Sequence, residues 1–251
     1  MTKTLLIDGD ILAYRTASAV EYAVCWDADQ DIWTLTADAR EAKQRLDLEI
    51  VYLKQRLEAD KVLIAFSDTK NFRKEVLPTY KWNRKGTRKP VILPELRDYC
   101  IDAYPTRVLP GLEADDVLGV LGTSRTLKGT KIIVSEDKDL LQIPGYIYRP
   151  SEDAVHKITK LKADRWFFTQ VLTGDSTDGY SGLPGCGPKT AEKILQVGCW
   201  DEVVEAYENK GLNENEALTQ ARVARILRAP DYDLRTKKVK LWTPKSPTSP
   251  K

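Results

Sequence analysis

Three short apolar runs, each followed closely by an acidic residue, constrain the fold of this chain more than any other feature. They are residues 5–7 before Asp8, residues 62–66 before Asp68, and residues 132–134 before Asp137. Short apolar runs with long helical patterns between them are typical of buried parallel strands. Because ligands collect outside the carboxyl ends of such strands, we predict that the three acids meet at one edge of a sheet.

The stretches between and after these runs supply the other elements of an α/β fold. Apolar side chains recur at helical spacing in four segments, residues 37–59, 113–127, 201–210 and 215–227. The chain also looks helical from Asp164 onward, and residues 22–36 alternate as a β-hairpin that turns around Asp29 and Gln30. The predicted fold is a central, mostly parallel sheet with helices on both faces.

The predicted organisation has three parts. Residues 1–161 form an α/β core, residues 162–243 form a helical region, and the proline-rich residues 244–251 form a disordered tail. Within the core, residues 78–94 are basic, carry two aromatic residues and show weak periodicity. They are predicted to be a mobile loop or short helices that overhang the sheet edge.

Composition narrows the chemistry. No two of the four cysteines form a CxxC motif. No signal peptide is evident, and no apolar run is long enough to span a bilayer. We therefore expect a reducing, cytoplasmic setting and no membrane role. The single histidine, His156, cannot supply a zinc site and is read as structural or solvent-facing. Chemistry must come from carboxylates, lysines and metal.

A glycine-rich turn at residues 182–191 is suited to gripping a phosphate backbone. Gly182, Gly185 and Gly187 are each predicted to take a positive φ and let the backbone approach a phosphodiester. Pro188 suits the first turn of a helix, whose start offers free N–H groups to an anion. Lys189 and Lys193 lie one turn apart on that helix. The alternative is an ordinary loop between two helices.

Ten carboxylates are candidate metal ligands: Asp8, Asp10, Asp68, Glu113, Asp115, Asp116, Asp137, Asp139, Asp175 and Asp178. Taken alone, residues 113–116 fit an acidic helix start, and Asp175 and Asp178 fit an N-cap and a turn. If the acids converge, each pair at about 4 Å repels by roughly 4 kcal/mol, so cations must sit among them. Ligands that are all oxygen select Mg²⁺ or Mn²⁺. Two such ions can activate water and stabilise the attacking and leaving oxygens at a phosphodiester.

A series of motifs resembles the flap endonuclease/5′→3′ exonuclease superfamily across almost the whole chain. Within it, the chain is most similar to the stand-alone 5′→3′ exonucleases of short-tailed lytic phages. The motifs are Leu6-Ile-Asp-Gly-Asp10, Phe66-Ser-Asp68 through Arg73, Tyr80-Lys-Trp-Asn-Arg84, Glu113-Ala-Asp-Asp116, Ser135-Glu-Asp-Lys-Asp139, and the stretch from Gly174 to Gly187. The resemblance implies a helical arch at residues 81–89 and a helix–three-turn–helix at residues 175–197.

The resemblance also implies roles for individual residues. The first metal cluster would be Asp8, Asp68, Glu113 and Asp115, and the second Asp137, Asp139, Asp175 and Asp178. Asp116 would lie behind the metal ligands or be structural, and Asp10 stands where many relatives carry Asn. Lys81 and Arg84 would hold the scissile phosphate, and Tyr80 or Trp82 would stack on a terminal base or pack the base of the arch. The DNA-contacting set would be Arg73, Tyr80, Lys85, Arg88, Gly182, Gly185, Gly187, Lys189, Thr190 and Lys193.

The function implied is metal-dependent 5′→3′ hydrolysis of duplex DNA, with flap cleavage and hydrolysis of RNA in hybrids as related activities. Two Mg²⁺ ions, replaceable by Mn²⁺, would serve as cofactors, with a monovalent cation at the helix–three-turn–helix. The protein would act as a monomer in the cytoplasm of a phage-infected bacterium, in phage DNA replication or host DNA degradation, with replication proteins in trans.

Two other functions fit parts of the sequence. A haloacid-dehalogenase-like phosphatase would use Asp8 as nucleophile and Asp10 as acid, but Ile11 stands where that motif carries Thr or Val. A structure-specific DNA-binding protein without catalysis would keep the glycine turn and lose the metal ligands. Neither accounts for all of the acidic motifs together with the basic span.

Overall fold

The computed structural model of the protein describes residues 2–84 and 86–244, so the predicted Lys85 contact and residues 245–251 of the predicted tail lie outside the described residues. The strands are β1 Lys3–Asp8, β2 Glu21–Asp27, β3 Ile32–Ala37, β4 Lys61–Phe66, β5 Thr106–Val108, β6 Thr130–Val134, β7 Gly145–Arg149, β8 Ala154–Ile158, β9 Tyr232–Asp233 and β10 Lys238–Val239. The helices are α1 Gly9–Ala19, α2 Ala39–Arg56, α3 Arg73–Val76, α4 Leu93–Ala103, α5 Ala114–Thr123, α6 Lys160–Thr173, α7 Pro188–Ile194, α8 Trp200–Glu208 and α9 Glu214–Ala224.

The central sheet confirms the predicted fold class. Its strand order is β5-β4-β1-β6-β7-β8, and only β8 runs antiparallel to its neighbour. Strand β1 lies between β4 and β6, with Leu6 paired to Leu63 on one side and to Ile133 on the other. The three strands that end near Asp8, Asp68 and Asp137 are therefore adjacent, and their carboxyl ends share one edge.

Apolar side chains pack on both faces of this sheet and in the helical region. Helices α1, α2 and α4 cover one face, through residues such as Leu12, Leu46 and Leu96. Helix α5 covers the other face together with Ile226 and Leu227. A third cluster holds α6–α9 together, and there the aromatic rings of Phe167, Phe168, Trp200 and Trp242 pack edge-on or tilted.

Several predicted boundaries need correction. Residue 37 ends β3 rather than starting a helix, and α5 ends at Thr123 because the chain turns into an extended Ser124. Helix α6 begins at Lys160, where Thr159 caps it by accepting from the Lys162 N–H. Among the described residues of the basic span 78–94, the helical structure consists of a 3-10 turn at Trp82–Arg84 and the first residues of α4.

The hairpin is formed as predicted, by β2 and β3 around a turn at residues 28–31. It leaves large side chains in solvent, including Trp26 and Trp33. Its base is tied to the basic span, because Glu21 accepts from Arg88 at 2.6 Å and from the Val91 N–H at 2.8 Å. Among the described residues, no helix is both long enough and apolar enough to cross a membrane.

Helix α5 packs against the segment that follows α9 at a glycine contact. A Cβ added at Gly119 would lie 2.3 Å from the Leu227 carbonyl oxygen and 2.7 Å from Ile143 Cδ1. At Gly122, three residues later on the same helix, the nearest atom would be Ile133 Cδ1 at 3.2 Å. An added Cβ at Gly122 would displace only a side-chain methyl group, whereas an added Cβ at Gly119 would require the backbone at Leu227 to move.

We expect Gly119→Ala to lower the free energy of unfolding by about 1–3 kcal/mol, because the methyl group overpacks this contact. Gly122→Ala is the matched control, since alanine favours the helix there and the change should stay within about 1 kcal/mol. Urea denaturation of both variants measures the difference. Equal stabilities would contradict the close approach of α5 to Leu227.

Candidate active site

The predicted convergence of acids is observed at the carboxyl edge of the sheet. A cavity of about 370 Å³ opens there. Seven of the eight predicted metal ligands line it, namely Asp8, Glu113, Asp115, Asp137, Asp139, Asp175 and Asp178. They come from β1, the start of α5, the turn after β6, and the loop after α6. The parallel order of β1 and β6 brings together residues that lie far apart in the sequence.

Asp68 is the one predicted ligand that does not line this cavity. Its carboxylate accepts from the Gly111 N–H at 2.7 Å and from the Thr69 N–H at 2.7 Å. The Gly111 bond is the main cause that lowers the pKa of Asp68. The side chain is thus turned toward the loop before α5, although its strand ends beside Asp8.

Mutual repulsion marks one side of the cavity. Burial, together with the charges of Asp10 and Asp137, raises the pKa of Asp8 to about 7. Burial and the neighbouring carboxylates of Asp137 and Asp175 raise the pKa of Asp139 to about 7. The pKa of Asp115 is raised well above its ordinary value by burial and by Asp8. The charges of Lys81 near Asp115 and of Lys138 near Asp139 act in the opposite direction but do not offset the rise.

The opposite side is compensated by cations of the chain itself. Lys81 Nζ lies 2.7 Å from Glu113 Oε1 and 3.4 Å from Asp178 Oδ2, and Arg84 donates to Asp178 at 2.6 Å. Although burial opposes it, the charges of Arg73 and Lys81 lower the pKa of Glu113 to about 2. Both predicted phosphate-binding residues, Lys81 and Arg84, therefore line the cavity beside the acids.

Arg73 is not placed to contact a phosphate, which corrects its predicted role. It is 1 % exposed, and its guanidinium donates to both oxygens of Asp116, at 2.6 and 2.8 Å, and to Glu113 at 3.2 Å. It also donates to the carbonyl oxygens of Val223 and Arg225. Its donors are used inside the protein, so Arg73 joins α3, α5 and the end of α9. Asp116 is fully buried and accepts from Arg73 and from the Leu227 N–H, which fits the structural one of its two predicted roles.

Tyr80 packs at the base of the basic span instead of presenting its ring to DNA. It is 3 % exposed, and its hydroxyl lies 2.8 Å from Glu113 Oε2 and 3.0 Å from Asp178 Oδ2. Burial of the ring leaves no face for a base, so the predicted stacking role does not fit Tyr80. Trp82 is 63 % exposed and keeps a free ring at the same place.

The glycine turn lies between α6 and α7, which pack against each other. Gly182 and Gly185 have positive φ, at +63° and +74°. Gly187 does not, because it is the extended N-cap of α7 with φ at −89°, and Pro188 starts the helix. Lys189, Thr190 and Lys193 are exposed on α7, so the predicted phosphate-binding side chains are accessible.

Of the remaining residues that the sequence singled out, Arg88 and His156 lie outside the cavity, whereas Asp10 lines it. Arg88 is exposed and forms an ion pair with Glu21 of the hairpin. His156 lies on β8, and its Nε2 is 2.7 Å from Oε2 of Glu152. Asp10 lines the cavity, but its oxygens accept from Arg97 and from the Ser67 N–H.

The phosphatase alternative requires Asp8 to be an exposed nucleophile. In the structure Asp8 is buried, and its two oxygens accept from the Ile11 N–H and from the Ser135 hydroxyl.

Sequence reasoning missed two buried glutamines next to the cavity. Gln170 on α6 donates to Asp139 Oδ1 at 2.5 Å, and Gln142 lies directly behind Gln170. One signal existed in the sequence, because Gln170 interrupts the apolar face that Phe167 and Val171 form on α6. A polar residue at such a position must find a buried partner.

The donor set of the cavity fits hard divalent cations. All candidate ligands are carboxylates, which Mg²⁺ and Mn²⁺ prefer. A bound cation would offset the burial and the repulsion that together raise the pKa of Asp8, Asp115 and Asp139. Within the described residues, no three carboxylates are already gathered around one point. Ion pairs with Lys81 and Arg84 hold Glu113 and Asp178 in the present arrangement.

Comparison with known proteins identifies the family. Residues 3–163 match the model of the 5′-3′ exonuclease N-terminal resolvase-like domain. The chain belongs to the 5′→3′ exonuclease family. An exodeoxyribonuclease of Enterobacteria phage T3 is 32 % identical over 96 % of this chain and 93 % of its own length. An exonuclease of Escherichia phage T7 is 31 % identical with the same coverage.

Solved structures share the fold of this 5′→3′ exonuclease. A bacteriophage T5 5′-exonuclease with bound zinc ions matches with a TM-score of 0.65 and 17 % identity, covering 88 % of this chain and 89 % of that one. A bacteriophage T5 flap endonuclease in complex with DNA and metal ions gives a TM-score of 0.65 at 17 % identity, covering 88 % of each chain. The α/β architecture is common to them.

We expect Asp8→Asn to stabilise the metal-free protein at pH 8 by on the order of 1–3 kcal/mol. Asparagine keeps the N-cap of α1 and removes a charge that burial disfavours. Because the pKa of Asp8 is raised from 3.8 to about 7, its contribution to stability is present below pH 4 and is lost as the pH rises to 7.

Urea denaturation in EDTA at pH 5 and pH 8 measures this effect. Asp38→Asn is the matched control, because Asp38 is an exposed N-cap whose pKa is lowered by the Glu41 and Arg40 N–H groups. If Asp8→Asn were no more stable than the wild type at pH 8, the cost inferred for the buried Asp8 charge would be absent.

Proposed function

We propose that this 5′→3′ exonuclease hydrolyses duplex DNA from 5′ ends with two Mg²⁺ ions as cofactors, Mn²⁺ being able to replace them. The observation that carries the proposal is the cavity at the carboxyl edge of the sheet, where seven of the predicted carboxylate ligands lie beside the cationic Lys81 and Arg84. The carboxylates would bind the metal ions, and the side chains of Lys81 and Arg84 would bind the phosphate of the DNA.

The two ions would be held by two groups of carboxylates. Asp8, Glu113 and Asp115 belong to the first, with Asp68 next to it, and Asp137, Asp139, Asp175 and Asp178 form the second. Such ions, when bound, activate water and stabilise the attacking and leaving oxygens of a phosphodiester. Support for a second group comes from the raised pKa of Asp139, which its carboxylate neighbours cause together with burial.

Lys81 is positioned to meet negative charge that develops on the scissile phosphate. Its backbone has φ at +54°, and its N–H donates to the Asp178 carbonyl oxygen at 2.8 Å, so the strained conformation is held by a direct bond. Burial opposes its charge, but Glu113 and Asp178 raise the pKa of Lys81, so it is cationic at neutral pH. A phosphate entering the cavity would take the place of these carboxylates as its partner.

The duplex would be gripped by the glycine turn and α7, whose exposed Lys189, Thr190 and Lys193 offer sequence-independent phosphate contacts. Trp82 would stack on the terminal base at the 5′ end, since its ring is exposed beside Lys81 and Arg84. Flap cleavage and hydrolysis of RNA in hybrids belong to the same proposal because this grip reads no base. The protein would act as a monomer in the cytoplasm of an infected bacterium, in phage DNA replication or degradation of host DNA.

End-labelled DNA tests the proposal directly. A 5′-labelled duplex should release its label in short products at once, whereas the same duplex labelled at the 3′ end should give a ladder that shortens with time. EDTA should stop both reactions, and Mg²⁺ should restore them. Asp137→Ala should be inactive in Mg²⁺. A ladder from the 5′-labelled strand would mean that degradation starts at 3′ ends.

Lys81 and Lys189 should differ in what they contribute. We expect Lys81→Ala to lower the single-turnover rate by about 10²–10³-fold while the affinity for duplex stays within about threefold. Lys189→Ala should instead weaken duplex affinity and reduce its salt slope by about 1, with the saturated rate unchanged.

Single-turnover rates and salt-dependent affinities on one duplex measure both effects. Lys128→Ala is the control, because this exposed lysine precedes β6 and so lies at the opposite edge of the sheet. Should Lys81→Ala lose affinity and keep its rate, the assignment of Lys81 to the scissile phosphate would be wrong.

A further inference from the structure

Two buried glutamines connect the acidic cavity to the segment that follows α9. Gln142 ends the 3-10 turn at Lys138–Gln142 and is 0 % exposed, and Gln170 on α6 is 4 % exposed. Each side-chain amide has donors and an acceptor that must find partners when buried. The partners found here run from the backbone of residues 224–226 to Asp139.

The backbone fixes the direction of this chain of hydrogen bonds. The Ile226 N–H donates to Gln142 Oε1 at 3.1 Å, and a backbone N–H can act only as a donor. The Gln142 side chain therefore presents its Nε2 to the other two partners. One is the Ala224 carbonyl oxygen at 2.7 Å, which can only accept, and the other is the Gln170 side-chain oxygen.

The orientation of Gln142 in turn fixes the orientation of the Gln170 side chain. Because the Gln170 oxygen is occupied by Gln142, its Nε2 points toward Asp139 and donates to Oδ1 at 2.5 Å. A donor to a carboxylate favours the charged form and forms one of the stronger hydrogen bonds. The Asp139 side chain lines the cavity and is thus held by the hydrogen bond from Gln170. The donor–acceptor direction of that bond follows from the Ile226 N–H, which orients Gln142 and through it Gln170.

We infer that Gln170, oriented by Gln142 and the Ile226 backbone, is a positioning residue that holds the Asp139 carboxylate for a divalent cation. The inference rests on the proposed function, which assigns Asp139 to the second metal ion. Partners that orient a metal ligand typically contribute 10–100-fold to metal affinity. Gln170 and residues 224–226 lie beyond the 3–163 segment that matches the family domain, so the helical region helps to build the site.

Mn²⁺ binding to the full chain, followed by electron paramagnetic resonance in the absence of DNA, tests the inference without relying on activity. Gln170→Met keeps the approximate volume and removes the donor, and we expect it to weaken one Mn²⁺ site by 10–100-fold. Gln142→Met leaves Gln170 in place without its orienting donor, so a smaller loss is expected. Gln55→Met on the exposed side of α2 is the matched control and should bind Mn²⁺ like the wild type.

The controls separate this inference from the proposed function. Duplex affinity in EDTA and circular dichroism report whether each variant is folded. If Gln170→Met does not fold, Gln170→Asn, which withdraws the amide by one methylene, gives the same readout. Unchanged Mn²⁺ binding by a folded Gln170 variant, with binding lost in Asp139→Ala, would overturn the positioning role alone. Unchanged binding by Asp139→Ala would overturn the ligand assignment itself.

Discussion

Repulsion between carboxylates at the end of β1 is the constraint on which the rest of the site depends. The parallel order of β4, β1 and β6 brings acids from separate segments to one edge, and burial then makes their charges costly. The chain compensates only part of this charge. Glu113 and Asp178 are paired with Lys81 and Arg84, whereas Asp8, Asp115 and Asp139 have raised pKa values. The unequal compensation leaves one side of the cavity suited to added cations.

The buried Arg73 shows how the compensated side is held in place. Its bidentate pair with Asp116 is almost inaccessible to solvent, and the remaining donors reach Glu113 and two carbonyl oxygens at the end of α9. Such a pair contributes little net stability when intact, but removal of one partner leaves a buried charge without compensation. Arg73 thus links Glu113 to the end of α9, where Val223 is 150 residues away from Arg73 in the sequence.

The sequence was sufficient to predict the sheet, the convergence of the acids and the glycine turn, because each has a local signature. Strand ends are marked by acids, and the turn by Gly185 and Pro188. The DNA-contact role of Arg73 was mistaken for a different reason, and of the two roles predicted for Tyr80 only packing at the base of the arch fits the structure. Basic and aromatic residues near a basic span suggest DNA contacts, but whether such a side chain points outward or inward depends on tertiary partners. Helices α1 and α4 were not predicted, although Leu93, Leu96 and Cys100 stand at helical spacing in α4.

The helical region contributes residues to the candidate active site, in addition to the glycine turn predicted to bind DNA. It supplies Asp175 and Asp178 to the cavity, and through residues 223–227 it satisfies polar groups of the core. Without this segment, Arg73 would lose two acceptors, Asp116 would lose the Leu227 N–H, and Gln142 would lose both of its backbone partners. Several buried polar groups would then be unsatisfied at once, each at a cost of about 1–3 kcal/mol. The core and the helical region therefore depend on each other to keep the two carboxylate groups facing one cavity.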